Sequence, residues 1–179
     1  MAFISKFNHG VNGCYVLALR ADGRLWFCHN VNPYDMNSTT TVGADAFHHV
    51  AVTYDGKTVR FYIDTKPAGS VNFDYQPETS LPLLLGAAPI RGVPGMFFDG
   101  MIDEVRLWER TRSEDELRRD HAFRLIGNEP GLVAYYRFDE GSGTDLFDQT
   151  DSGLHGSLKN GPKWVTSDAP IGERPSLRR

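Results

Sequence analysis

The stretch richest in groups that could do chemistry is residues 139–153, which read DEGSGTDLFDQTDSG. It carries five carboxylates and three glycines. Calcium takes six to eight oxygen ligands, from carboxylates and from backbone carbonyls, and flexible glycine-rich turns can supply both. We therefore predict a calcium site whose candidate ligands are Asp103, Asp139, Asp148 and Asp151. The alternative is a turn whose Asp and Ser side chains accept hydrogen bonds from their own backbone.

Two loops have a composition suited to binding a sugar, residues 29–37 and residues 89–94. An aromatic ring can stack on the apolar face of a pyranose while amide, carboxylate and guanidinium groups bond its hydroxyls. Loops on a rigid scaffold often carry binding function, although the same residue types also mark ordinary loops. The candidate ligand-binding residues are Asn32, Tyr34, Asp35, Asn37 and Arg91.

A catalytic pair of carboxylates is not indicated. On a strand over residues 101–108, Glu104 would share one face with Arg106 and Trp108, and no carboxylate follows Glu104 two residues on. The alternative for Asp103 and Glu104 is a structural role: an ion pair with Arg106 or Arg110, or hydrogen bonds to a neighbouring loop. We therefore expect that the protein is not an enzyme.

The elements that must hold these residues are clearest at residues 47–63. Two runs of alternating apolar and polar residues flank Asp55-Gly56, a dipeptide that readily forms a tight hairpin turn. Such a hairpin can bury one face and leave the other in water. The residues predicted to share the buried face are Val50, Val52, Tyr54, Val59, Phe61 and Ile63.

A second hairpin is predicted over residues 13–19 and 24–30. With a two-residue turn at Asp22-Gly23, Cys14 and Cys28 would lie on opposite faces. With a three-residue turn they would lie diagonally on the same face. The two-residue turn excludes a disulfide, and two cysteines in a chain without a visible secretion signal are usually reduced, so we expect two thiols.

The remaining sequence predicts short strands and one short helix. Ser113 followed by Glu116 has the spacing of a capping box, which predicts a helix over residues 114–123. Many short strands with one helix indicate an all-β antiparallel sandwich. The further strands are predicted over residues 69–73, 83–86, 101–108 and 132–138.

Length and charge narrow the class of protein. The 179 residues fit one domain, to which we assign residues 1–171, followed by a polar tail over residues 172–179. The net charge of −4 argues against nucleic-acid binding, and no apolar run reaches the length of a membrane span. No secretion signal is visible, so the protein is intracellular, leaves by another route, or has a different natural start.

Three segments resemble the laminin-G-like branch of the concanavalin A-like lectin/glucanase superfamily: residues 47–56, 98–108 and 131–143. The resemblance runs over residues 4–171 and implies a jelly-roll sandwich. It implies a secreted or surface protein that binds carbohydrate or protein partners, often with a structural calcium near residues 148–153. Some relatives are glycosidases, but their Glu-x-Asp-x-x-Glu spacing is absent here.

Two departures from the family pattern carry predictions. Asp64-Thr65 replaces the usual Asp-Gly, so we expect a different turn there, since threonine resists positive φ. The segment over residues 132–164 usually opens the domain but here closes the chain. Either this segment folds back to fill the position of the first strand, or the sheet is left with open edges. Open edges can pair with another chain, so we predict a homo-oligomer. We predict a carbohydrate-binding module; the alternatives are a self-assembly module and, third, a glycoside hydrolase.

Overall fold

The structure is a computed structural model that describes residues 1–7, 14–28, 36–74, 80–90 and 92–173. The chain divides into two compact units, Met1–Gly100 and Met101–Arg179, here called the first and the second unit. The assignment of residues 1–171 to a single domain stays a prediction. Across the described ranges, no helix is both long and apolar enough to cross a membrane.

The first unit consists of short strands joined by tight turns. The strands are β1 (Ala2–Lys6), β2 (Tyr15–Leu19), β3 (Arg24–Cys28), β4 (Met36–Thr41), β5 (Val50–Tyr54), β6 (Thr58–Ile63), β7 (Lys66–Asn72), β8 (Leu84–Leu85), β9 (Ala88–Ile90) and β10 (Val93–Gly95). One sheet has the strand order β4-β3-β2-β1-β8, a second has the order β5-β6-β7, and β9 pairs with β10. Neighbouring strands in these sheets are antiparallel.

The two larger sheets of the first unit share one apolar core. Leu17, Leu25 and Phe27 enter it from the first sheet, and Val59 and Phe61 enter it from the second. Leu25, Val59 and Phe61 have no exposed surface. Two antiparallel sheets that bury their apolar faces against each other form a β-sandwich, which confirms the predicted fold class.

The β5–β6 hairpin has the predicted face but a different turn. Tyr54 lies opposite Val59, so the apolar residues of both strands share a side. The two central turn residues are Gly56 and Lys57, and Gly56 takes a φ of +90°. Asp55 precedes them, and its Oδ1 accepts a hydrogen bond from the Lys57 N–H at 3.0 Å. Asp55 therefore closes the turn as an acceptor instead of forming its centre.

The β6–β7 turn contradicts the expectation for Asp64-Thr65. Ile63 pairs with Lys66, so Asp64 and Thr65 are the two central residues of a tight turn. Both take positive φ, +49° and +64°. This conformation is costly for a β-branched residue. The Asp64 carboxylate supports the turn, because its Oδ1 accepts a hydrogen bond from the His49 N–H at 3.1 Å.

The β2–β3 hairpin decides between the two cysteine geometries. Val16 lies opposite Cys28, which leaves three residues, 21–23, in the turn. Cys14 and Cys28 therefore lie on one face, in diagonal positions, and both are buried in the same apolar cluster. The three-residue alternative is confirmed.

The second unit contains two short sheets and a helix. The elements are β11 (Val105–Trp108), α1 (Glu114–Asp120), β12 (Leu132–Tyr136), β13 (Asp145–Leu146) and β14 (Gly156–Ser157). β11 pairs antiparallel with β12, and β13 pairs antiparallel with β14.

The capping box is confirmed, since Ser113 Oγ accepts from the Glu116 N–H and the Glu116 carboxylate accepts from the Ser113 N–H. The helix ends three residues earlier than predicted, because residues 122–124 pair with Gly172 instead.

The strand predicted over residues 101–108 is shorter in the structure. It begins at Val105, because Glu104 takes a φ of +54°, which a β-strand does not accommodate. Glu104 is therefore not a strand residue beside Arg106, and the predicted shared face is wrong at that position. β12 gives β11 a neighbouring strand within the second unit, and the choice between folding back and open sheet edges stays a prediction. The homo-oligomer stays a prediction.

We expect Thr65→Gly to stabilise the protein. Glycine adopts positive φ without the cost of about 1–2 kcal/mol that an L-residue incurs, and its extra freedom in the unfolded chain offsets part of that gain. The net increase in the free energy of unfolding should be about 1 kcal/mol, measured with urea. Thr58→Gly, in the strand β6, is the control and should lose about 1 kcal/mol. A Thr65→Gly variant less stable than the wild type would contradict a strained turn.

Candidate functional site

Most of the predicted sugar-binding residues lie outside the described residues. This applies to Asn32, Tyr34, Asp35 and Arg91. Asn37 is described: it lies half-buried in β4, opposite Trp26, and its Oδ1 is 3.4 Å from Nη1 of Arg20. The binding role of these two loops stays a prediction.

Three of the four predicted calcium ligands are bonded to protein partners. Asp103 accepts hydrogen bonds from the Glu104 N–H and the Ser167 hydroxyl. Both oxygens of Asp139 accept from the Arg124 guanidinium, at 2.5 and 3.0 Å. Asp151 is exposed. In the part of the chain that the structure describes, no three His, Cys, Asp or Glu side chains are grouped so that they could hold a metal ion.

Asp148 is the most fully bonded of these carboxylates, and its residue is only 5% exposed. Its Oδ1 accepts from the N–H groups of Tyr135 and Thr150, each at 3.0 Å. Its Oδ2 accepts from the Thr150 hydroxyl at 2.9 Å and from the Leu154 N–H at 3.0 Å. Burial alone would raise the pKa of Asp148, but these hydrogen bonds outweigh it and hold the pKa below its ordinary value.

Asp148 does not fit a calcium site, and Asp139 offers few free positions to an ion. A calcium ligand must offer a lone pair to the ion, and a carboxylate has about four such positions. At Asp148 all four are used by protein donors, and at Asp139 both oxygens are used by an arginine. The arrangement is the alternative described above, a turn whose side chains bond the backbone. Calcium binding stays a prediction.

A cavity of about 380 Å³ opens beside this turn, and we call it the acidic pocket. Gly141 and Gly143 take φ of +67° and +77°, which allows the chain to turn tightly between β12 and β13. The Nε1–H of Trp164 donates to the Gly143 carbonyl at 3.0 Å and so holds this turn from one side. The residues that line the acidic pocket are Asp139, Glu140, Ser142, Gly143, Asp145, Phe147 and Gln149.

The acidic pocket combines one apolar ring with groups that accept hydrogen bonds. Phe147 is 48% exposed and packs edge-on against His155, with ring centroids 5.5 Å apart. The Phe147 N–H donates to Glu140 Oε1 at 2.8 Å, which fixes the main chain under the ring. The Gln149 amide nitrogen donates to the Phe147 carbonyl at 3.2 Å, which leaves its amide oxygen as an acceptor.

The lining of the acidic pocket is negatively charged. It contains three carboxylates and no lysine or arginine. Arg124 neutralises Asp139 from outside the lining, and the hydrogen bonds between them raise the pKa of the arginine. The Asp145 side chain makes no hydrogen bond or ion pair with the described residues. Glu140 Oε2 is buried and has no hydrogen-bond partner in the described part. The pocket can therefore accept hydrogen bonds from a ligand more readily than it can donate them.

Glu104 lies in a separate, buried cluster of the second unit. Its side chain is 9% exposed. Its Oε2 accepts hydrogen bonds from Arg106 and from the Tyr135 hydroxyl, both at 2.6 Å. Arg106 also donates to the carbonyls of Asp120 and Phe123. The ion pair with Arg106 is confirmed, and the carboxylate is held away from solvent.

Comparison with known families gives one match. The model of a laminin-G family, described as "Concanavalin A-like lectin/glucanases superfamily", matches residues 1–118. The chain belongs to this superfamily. The resemblance predicted from the sequence is therefore confirmed. The residues of the acidic pocket follow the matched segment in the chain.

Two solved structures are similar to this member of the concanavalin A-like superfamily. One is described as a candidate carbohydrate-binding protein of Bacteroides ovatus: 20% identity, a TM-score of 0.72, and coverage of 96% of this chain and 50% of that chain. The other is an S-layer domain-containing protein of Clostridium thermocellum. It shows 26% identity and a TM-score of 0.40, and the match covers 63% of this chain and 58% of that chain. The chain thus spans about half the length of each. A comparison with curated proteins gives no significant match.

Sequence reasoning singled out the stretch that lines the acidic pocket but named few of the lining residues. Residues 139–153 were predicted to bind calcium because of their carboxylates and glycines. The pocket residues that this prediction missed are Glu140, Ser142, Gly143, Asp145, Phe147 and Gln149. A usable signal was present, since Phe147 is an aromatic residue in a stretch that, apart from Leu146, is polar and rich in glycine.

We expect Asp148 to make stability depend on pH in the acid range. Because its pKa is lowered in the folded state, its stabilising contribution is complete above the ordinary value near 3.8 and is lost as the pH falls through the folded pKa. A carboxyl ¹³C NMR titration should show Asp148 titrating at lower pH in the folded protein than in an unstructured peptide of residues 145–152. A pKa of Asp148 in the folded protein at or above the pKa in the peptide would contradict the hydrogen bonds that Asp148 accepts.

Proposed function

We propose that this chain is a non-catalytic carbohydrate-binding module and that the acidic pocket is its binding site. The observation that carries the proposal is the exposed ring of Phe147 in a cavity whose other lining side chains are polar. Membership of a superfamily that includes lectins supports it. The description of the Bacteroides ovatus protein as a candidate carbohydrate-binding protein agrees with it.

The lining suits the two kinds of surface that a sugar ring presents. A pyranose has an apolar C–H face, on which the ring of Phe147 can pack, and a set of hydroxyl groups around its edge. Asp145 and the Gln149 amide oxygen can accept hydrogen bonds from those hydroxyls, and the Ser142 hydroxyl can donate or accept. The cavity volume is at the lower end of those that hold small ligands, which suits a short segment of glycan.

The bonding of the carboxylates supports binding without cleavage. Glycoside hydrolysis needs two carboxyl groups about 5–9.5 Å apart on either side of the bond, one of them able to give up a proton. In the acidic pocket, Asp139 is bound by Arg124 and one oxygen of Glu140 is bound by a backbone N–H. Glu104 is buried against Arg106 and Tyr135. Each of these carboxylates is therefore engaged in holding the protein together.

The first test is binding by Phe147→Ala. A glycan array should identify oligosaccharides that bind the wild type, and calorimetry should then show that Phe147→Ala binds them about tenfold more weakly, as for the loss of one anchoring aromatic side chain. Val165→Ala, which removes an apolar side chain that is 61% exposed and outside the pocket, should bind like the wild type. No reducing sugar should be released.

Failure to bind any glycan would contradict the proposed function. Equal binding by Phe147→Ala and the wild type would contradict the proposed site. Released reducing sugar would favour the hydrolase alternative.

The second test concerns the charge of the ligand. Because the lining carries three carboxylates and no basic side chain, uronic-acid oligosaccharides should bind at least about tenfold more weakly than neutral ones at low ionic strength. The difference in affinity between neutral and uronic-acid oligosaccharides should become smaller in 0.5 M salt, where the Debye length is about 4 Å. Calorimetry at two salt concentrations checks this. Preferential binding of acidic glycans would contradict the site.

A further inference from the structure

We propose that the Asp148 carboxylate holds the turn over residues 148–154 to β12 in the way that a bound metal ion would, so that this fold needs no calcium there. The inference does not depend on the proposed sugar binding. It concerns a candidate metal ligand of the sequence analysis whose surroundings in the structure do not fit that role.

The donors to Asp148 come from separate parts of the chain. Tyr135 belongs to β12, Thr150 to the turn itself, and Leu154 to the segment that leaves the turn. One carboxylate therefore gathers three segments around a single point, which is also what a calcium ion does with oxygen ligands. Here the polarity is reversed, because the centre is an anion and its ligands are N–H and O–H groups.

The surrounding contacts fix the same three segments. The Gln149 N–H donates to the Tyr135 carbonyl at 2.8 Å, and the Tyr136 hydroxyl donates to the Leu154 carbonyl at 2.6 Å. The Asp148 N–H donates to Nδ1 of His155 at 3.1 Å. The turn is thus attached to β12 near both of its ends.

A neighbouring glycine shows how closely the turn is packed. A Cβ atom at Gly127 would lie 2.0 Å from the Gln149 carbonyl oxygen, so any side chain there would push the turn away. The turn therefore packs closely against Gly127 at Gln149.

A calcium ion could reach the Asp148 carboxylate only by displacing some of these donors. Tyr135 has no exposed surface, so its N–H would then be buried without an acceptor. Coordination would also require further oxygen ligands at this point, and the described residues offer no group of three acidic, histidine or cysteine side chains. Ion binding and the observed bonding are therefore mutually exclusive at Asp148.

The decisive experiment is thermal unfolding of the full chain, monitored by scanning calorimetry. We expect the Tm to change by less than about 1 °C between 5 mM EDTA and 5 mM CaCl₂, in contrast to the rise that any specific ligand of the folded state produces. Terbium, used as a luminescent calcium probe, should show no saturable sensitised emission. A Tm that rises steadily with calcium, together with saturable terbium emission, would overturn the proposal.

A pair of variants tests the role of the carboxylate itself. Asp148→Asn keeps the size but turns one acceptor oxygen into a donor, which would face the N–H or O–H groups now bonded there. We expect its Tm to fall by roughly 5–10 °C in EDTA and in calcium alike. Asp168→Asn, which removes an exposed carboxylate of the same unit, should change the Tm by less than about 1 °C.

The two variants also distinguish a carboxylate that bonds the backbone from one that binds calcium. An Asp148→Asn protein as stable as the wild type in EDTA would overturn the proposal. If Asp148→Asn does not fold, the calcium and terbium titrations of the wild type decide the question alone. Calcium that stabilises the wild type but not Asp148→Asn would show that the carboxylate is an ion ligand.

Discussion

Backbone N–H groups at the ends of short strands must find acceptors, and in this chain aspartate side chains supply many of them. Asp55 closes the β5–β6 turn, Asp64 accepts from the His49 N–H, and Asp148 accepts from three backbone N–H groups. The energetic reason applies most strongly at Asp148, because an unpaired buried N–H costs more than a hydrogen bond contributes. A fold made of strands of two to seven residues has many such ends, so its carboxylates are part of the scaffold.

This constraint sorts the acidic side chains of the second unit by what remains available to a ligand. Asp148 and Glu104 are buried and bonded, and Asp139 is paired with Arg124. Asp145 stays open, beside an aromatic ring that is half exposed. Within the lining of the acidic pocket, the candidate site is therefore defined less by the number of carboxylates than by Asp145, whose carboxylate is not bonded to the described residues.

The same distinction explains what the sequence could predict. The apolar face of the 47–63 hairpin and the capping box at Ser113 depend on residues near one another in the chain, and both were predicted correctly. The turn at Thr65 was not, because its neighbours impose a conformation that threonine disfavours. The role of Asp148 was also hidden, since one of its donors lies thirteen residues away in β12. Carboxylate-rich turns that bind ions and those that bind their own backbone have similar sequences.

Membership of the superfamily does not by itself choose between a lectin and a glucanase, because function resides in the site and not in the fold. The acidic pocket lies beyond residues 1–118, which the family model matches, so its chemistry must be argued from its own contacts. A hydrolase needs a carboxyl group that can donate a proton to the leaving oxygen. Both oxygens of Asp139 accept from Arg124, and one oxygen of Glu140 accepts from the Phe147 N–H. Asp145, as the open carboxylate, has one role that needs no second acid, which is to accept hydrogen bonds from a bound ligand.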